Sequence, residues 1–179
     1  MSCFISEGIA LGCSDSIGGL KKLYVLGGST GATFGTVAYN VDDAITGATG
    51  GSGSFYAFEL KRNTSDLTQN VQKSFENGTI FFEQVVNASF YKYDADKRNA
   101  LKILSQNDEI FIIAIDQNDT QYLLGQTNGM YLSGGNAGTG TALGDKNGFT
   151  LTFTGQEPVP ARVISGTLAT VFSGNTFVG

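Results

Sequence analysis

The chain has no histidine and no tryptophan, and the two absences remove much of the usual chemistry. Histidine is the commonest general base near neutral pH and the commonest nitrogen ligand for metals, so most hydrolytic and metal-assisted mechanisms lose their usual agent. Tryptophan is the best aromatic platform for cations and sugars, which counts against a carbohydrate-binding adhesin. Basic residues are also few, 11 against 16 acidic ones for a formal charge of −5. A phosphate-binding surface needs clustered Lys and Arg, so general nucleic-acid binding is not expected. Proline occurs only twice while glycine occurs 25 times, a balance that suits many short strands joined by turns.

The only cysteines, Cys3 and Cys13, lack metal-type spacing and read as reduced thiols, with a disulfide or a cross-link between copies as the alternative in an oxidising setting. No basic segment precedes a long apolar run at the N-terminus, and no stretch approaches the roughly 20 apolar residues that cross a bilayer, so neither a secretory signal nor membrane insertion is expected. The sequons at Asn63, Asn77, Asn87 and Asn118 are too short a pattern to imply glycosylation in so Asn- and Thr-rich a chain.

At 179 residues the chain fits one domain: an arm over 1–19, a β-rich body over 20–160 and a weakly apolar tail over 161–179 that should dock on a neighbour or add a strand. Leu20 to Leu26, with Leu23, Tyr24, Val25 and Leu26, makes a first strand that stops at Gly27-Gly28. Val41 to Ser54 carries nothing large after Ile45 and reads as a long mobile loop. Leu67, Val71 and Phe75 alternate with Thr68, Asn70, Gln72 and Ser74, which predicts a half-buried strand. Asn77-Gly78 then turns the chain into a strand with Ile80, Phe82, Val86, Ala88 and Phe90 on one face; Glu83, Asn87 and Ser89 share the other with Phe81, Val85 and Tyr91. That face is covered either by a second sheet or by another subunit.

One helix is predicted from Asp94 to Gln106, capped by Asp94, with Ala100, Leu101, Ile103 and Leu104 at helical spacing and Lys97, Arg98 and Lys102 facing water. Glu109 to Ile115 and Tyr122 to Leu124 form a hairpin across the Asp116–Asp119 turn, and Ser133 to Gly148 reads as a second flexible stretch. Phe149, Leu151 and Phe153 alternate with three threonines up to Pro158, the plainest strand in the chain.

No motif carries chemistry. Gly27-Gly28-Ser29-Thr30-Gly31 lacks the Lys and the following helix of a phosphate cradle. The run from Asp116 lacks the glycine and the glutamate of a calcium loop, at Gln121 and Thr127. Asp42-Asp43 and Asp108-Glu109 read as solvated charge, and no serine or threonine has an activating partner. No enzyme activity, catalytic residue, metal or cofactor is expected.

Two stretches nonetheless have a familiar texture: Cys13-Ser14-Asp15-Ser16-Ile17-Gly18-Gly19 before Leu23-Tyr24-Val25, and Gly138-x-Gly140-x-Ala142-x-Gly144-Asp145-x-Asn147-Gly148-Phe149 running through Leu151-Thr152-Phe153-Thr154-Gly155-Gln156-Glu157-Pro158. They resemble virion proteins of tailed phages. The order of strands, one helix, hairpin and final strand is similar to that of the tail tube proteins. This resemblance implies a virion location, a β-barrel with a flanking helix, and homo-oligomeric rings, commonly hexameric, stacked into a DNA conduit. A β-sandwich is the other architecture the strands allow. Thr46, Gly47, Ala48, Thr49, Gly50, Gly51, Ser52 and Gly53 would form the loop that reaches a neighbouring copy. Thr68, Asn70, Gln72, Glu83 and Asn87 would face the lumen, with the helix bases turned away, because inward Lys or Arg would retain phosphates. A ring of six would carry about six times −5 formal charges, which repel DNA over a Debye length of about 8 Å. Other virion roles, as a head-decoration, connector or tail-fibre protein, form the alternative.

Overall fold

The computed structural model describes residues 8–9, 14–27, 31–92 and 94–179. Cys3, Cys13 and most of the Gly27–Gly31 run lie outside the described residues. The fold is mainly β, and of the two expected architectures it is the sandwich: the main sheet is open, without barrel closure.

Among the described residues, twelve strands and two helices follow one another as β1 (Leu20–Gly27), β2 (Thr36–Tyr39), β3 (Ile45–Thr49), β4 (Ser54–Glu59), β5 (Asp66–Ser74), β6 (Thr79–Tyr91), α1 (Ala95–Ser105), β7 (Ile110–Asp116), β8 (Gln121–Leu124), β9 (Met130–Gly138), β10 (Gly148–Glu157), β11 (Arg162–Val163), α2 (Leu168–Val171) and β12 (Thr176–Val178). The main sheet runs β12-β4-β1-β7-β9-β10-β6-β5, with β8 and β11 branching from β7. Its two halves are joined at a single residue pair, Ile110 with Met130, and there the sheet folds over on itself.

Burial explains the fold-over. Leu23 and Val25 of β1 with Ile110, Ile112 and Ala114 of β7 pack against Val86, Ala88 and Phe90 of β6 and Phe149, Leu151 and Phe153 of β10. Leu104 of α1 joins this core and plugs its end. The opposite faces of β1 and β7, Leu26, Phe111 and Ile113, form a second core with Ile45 and Ala48 of β3, Phe55 of β4, and Ile164, Val171 and Phe172. The middle layer is thus buried on both sides, which is why β7 reads as an unbroken apolar run. The helix lies where its pattern places it, with Asp94 Oδ1 accepting from Lys97 N at 3.1 Å. That hydrogen bond, opposed by desolvation, holds the Asp94 carboxyl below its ordinary value. The cap therefore contributes most above the ordinary carboxylate range and weakens as pH falls through it.

Four expectations are corrected. The Val41–Ser54 segment is not a mobile loop: β3 pairs with β2, Ile45 and Ala48 are buried, and Asn175 Nδ2 donates to Thr33 O at 2.9 Å and Ser52 O at 3.0 Å. Small residues are needed there for close approach, since a Cβ on Gly35 (φ 84°) would sit 2.3 Å from Thr49 O and one on Gly51 would sit 2.3 Å from Asn175 Oδ1. Ser133–Gly148 is not one flexible stretch either, because β9 fills its first part and pairs with β10. The Ala161–Gly179 tail does add a strand, but to its own sheet, where β12 lies parallel to β4. The fourth correction concerns β5, which is not half-buried: past Leu67 no layer covers it, and Val71 and Phe75 are 61% and 87% exposed.

Removing Thr46–Gly53 would delete most of β3 and the seat of Asn175, so the deletion is expected to abolish cooperative thermal unfolding. A sharp melt within a few degrees of the wild type would show the segment to be dispensable.

Candidate functional site

The residues assigned to a lumen from sequence all fall on one sheet face. Pairing places Asn70 opposite Glu83, Thr68 opposite Val85 and Asp66 opposite Asn87, and directly opposed residues in antiparallel strands share a face. On the other side of β6, Thr152 pairs with Asn87, Thr154 with Val85 and Gln156 with Glu83. Gly134 faces Thr152 and Tyr131 faces Thr154 across β9, and the bulge between these pairs turns Ser133 to the same side.

Together β9, β10, β6 and β5 present a polar face about 33 Å long, the length of ten extended residues. Its side chains are hydrogen-bonded across the strands. Ser133 Oγ lies 2.8 Å from Thr154 Oγ1 and donates to Thr152 O at 3.1 Å. Thr152 Oγ1 donates to Asn87 Oδ1 at 3.0 Å, while Asn87 Nδ2 reaches Asp66 Oδ2 at 3.3 Å, as does Thr68 Oγ1. Such cross-linking fixes short polar groups in place rather than leaving them to sweep through solvent.

Charge is distributed with equal order. The four strands contain one basic residue, Lys73, and it pairs with Ile80 on the opposite side of the sheet. Asp66 and Glu83 are the acidic members of the polar face. Lys97, Arg98 and Lys102 sit on α1, which packs through Leu101 and Leu104 on the core side of β10 and so lies behind the polar face.

The face is bounded by two open backbones. β5 pairs only with β6, and β9 beyond Met130 pairs only with β10. Sequence reasoning missed Asp66, Ser133, Thr150, Thr152 and Thr154 as members of this surface. The period-two alternation of 149–154 pointed to them, because a strand with one apolar parity has a second parity that must face something else.

The small residues and acids of the 138–158 stretch have structural roles. Asp145 Oδ2 accepts from Thr141 N at 2.8 Å and Ala142 N at 2.7 Å, bonds that lower its carboxyl pKa, and a Cβ on Gly140 (φ 75°) would sit 2.4 Å from Asp145 Cβ. Gly148 passes so close to β6 that a Cβ would sit 2.1 Å from Phe90 O. Glu157, buried, holds the Gly125–Gly129 turn through Thr127 N and Asn128 N.

The remaining carboxylates stand apart. Asp43 pairs with Arg162 at 2.8 Å, whereas Asp108 and Glu109 are exposed between α1 and β7. Among the described residues no three of His, Cys, Asp and Glu come together as a metal site, and no helix is long and apolar enough to cross a membrane. Compared with protein-family models, curated proteins and solved structures, the chain matches none.

Proposed function

We propose that the protein is a non-enzymatic structural subunit that assembles with copies of itself, and that it acts in a phage virion as a tail tube subunit whose polar face lines a DNA conduit. The observation that carries this reading is the mostly polar face: Thr68, Asn70, Gln72, Glu83 and Asn87 lie side by side with Thr150, Thr152 and Thr154, Phe81 and Val85 being the apolar residues among them. Its four strands place no Lys or Arg on that side, and Lys146 reaches it only at its end, where Nζ donates to Ser89 Oγ. A wall past which DNA must move quickly needs contacts that are individually weak. Neutral hydroxyls and amides hydrogen-bond transiently, and scattered carboxylates repel phosphate, whereas each inward Lys or Arg would release counterions and retain the strand.

Two open strand edges flanking the face supply a means of assembly. Pairing β5 of one copy with β9 of the next would satisfy both backbones and extend the sheet around a ring, with the polar face inside. Closure then arises between subunits, which accommodates a subunit whose own sheet is open. The open sheet and the tail folded onto its own core also fit a head-decoration, connector or fibre protein.

Negative-stain microscopy of the purified protein distinguishes these readings. Rings or tubes with a central opening are expected, solid particles or thin fibres would favour the other virion roles, and isolated monomers at high concentration would contradict self-assembly.

A further inference from the structure

At the far end of β6 from the polar face's outer corner lies a cleft of about 600 Å³. Its walls include Phe58, Leu60, Phe90, Leu101 and Phe149, and its mouth carries Glu59, Lys61 and Lys97. Lys61 stands over the Tyr91 ring at 4.7 Å and has no carboxylate partner among the described residues. Lys97 Nζ is already engaged by Asp94 Oδ2 at 3.4 Å and by the Tyr91 and Lys92 carbonyls at 3.1 Å, which leaves Lys61 as the base at the rim. An apolar hollow with one acid and one such base at its rim suits a guest with an apolar knob flanked by both charges.

That description fits another part of the same chain. The turn between β5 and β6 projects past the end of β10, whose last pair is Glu157 with Phe82. Phe75 at its tip is 87% exposed, with Lys73 Nζ 4.7 Å from its ring and Glu76 next to it in sequence. Ile80 and Val71 extend the apolar patch down the hairpin, 52% and 61% exposed. A phenylalanine on a protruding tip adds nothing to the core of a monomer, and seating it in an apolar cleft would remove its ring from water.

We propose that the β5–β6 tip of one copy seats Phe75 in the cleft of a second copy, with Glu76 meeting Lys61, and Lys73 meeting Glu59. Knob and cleft lie at opposite ends of β6, Thr79 and Tyr91, about 40 Å apart at the rise of an extended strand. They cannot satisfy each other within one molecule. The contact is therefore heterologous, head to tail, and repeats copies along the strand direction. It rests on the self-assembly reading and assigns that reading its longitudinal contact, distinct from the edge pairing of β5 and β9.

The test compares wild type with Phe75→Ser and with Glu76→Lys, the latter with and without Lys61→Glu. Analytical ultracentrifugation reads the concentration at which oligomers form, and thermal unfolding checks that each variant folds. Phe75→Ser changes an exposed tip, so its melting should match the wild type while its assembly concentration rises at least tenfold. Glu76→Lys should do the same, and adding Lys61→Glu should recover most of the loss. If the wild type assembles and Phe75→Ser and the Glu76→Lys pair assemble equally well, the tip is not the contact, although self-assembly stands. A wild type that stays monomeric overturns both readings at once.

Discussion

Replacing Phe172 by alanine is expected to cost about 3–5 kcal/mol, the range for removing a fully buried aromatic ring. Phe172 is wholly inaccessible, and its ring lies 5.9 Å from that of Phe55, which itself stacks on Phe177 at 5.1 Å. These three rings bind the C-terminal segment to β4, and through β4 to the middle layer of the sandwich. Against a total stability of roughly 5–15 kcal/mol for a domain of ordinary size, the loss would leave the protein close to unfolding at growth temperature. Urea unfolding measures it directly. Phe75→Ser serves as the control, a phenylalanine substitution at an exposed site with a change near zero. A midpoint for Phe172→Ala equal to that of the wild type would mean that the tail is not part of the core.

Glu157→Ala is expected to cost about 3 kcal/mol, because it removes a charged acceptor from a nearly solvent-free position and leaves its donors without a partner. The carboxylate accepts from Thr127 N at 3.0 Å and Asn128 N at 2.8 Å, while Gln84 Oε1 accepts from Gly125 N at 3.1 Å. Both side chains therefore hold the turn between β8 and β9. That turn leads into Met130, the one residue through which β9 joins β7 and the sheet folds over. Loosening it affects the alignment of the two halves, not a surface loop alone. Glu157→Gln retains one acceptor oxygen and should lose about half as much, so the ordering of alanine, glutamine and wild type in denaturant midpoints checks the argument. Equal midpoints for all three would show that the turn is held by other means.

What could be read from the residues, and what could not, divides along a physical line. Strands with one large apolar parity, β6 and β10, were legible, as were β7 with its Asp116–Asp119 turn and the helix behind its Asp94 cap. β3 and β9 were not, because runs of Gly, Ala, Ser and Thr are as common in loops as in strands built from small residues. In this fold several glycines in and beside these strands are small for a different reason: Gly35 and Gly51 next to β3, Gly135 in β9 and Gly148 in β10 each lie where a Cβ would press on a neighbouring segment, whereas Gly47, Gly134 and Gly138 have open space around them. Glycine-rich sequence reports close backbone approach as readily as it reports freedom, and single-chain patterning does not separate the two. The same limit applies to β5. Its alternation was genuine, but burial depends on what lies across from a face, and opposite Val71 nothing does.

The candidate surface was legible in part for a related reason. Parity along β5 and β6 selected Thr68, Asn70, Gln72, Glu83 and Asn87, yet only the register Asn70 with Glu83 brings the two sets onto one face. A shift of one residue would have put them on opposite sides. Thr150, Thr152 and Thr154 join the same face only through the pairing of β10 with β6, which the alternation of a single strand does not specify. The segment Thr46–Gly53, chosen as a contact for its lack of anchoring residues, is anchored from outside by Asn175.

The location of the polar face in the assembled particle is the central claim, and a cryo-EM reconstruction of the self-assembled wild-type protein measures it. The expected map shows a central channel walled by the β5-β6-β10-β9 face, with Thr68, Asn70, Gln72, Glu83 and Asn87 pointing inward and the α1 residues Lys97, Arg98 and Lys102 on the far side of the sheet. A channel lined by α1 and its bases, or an assembly with no channel, would contradict the account.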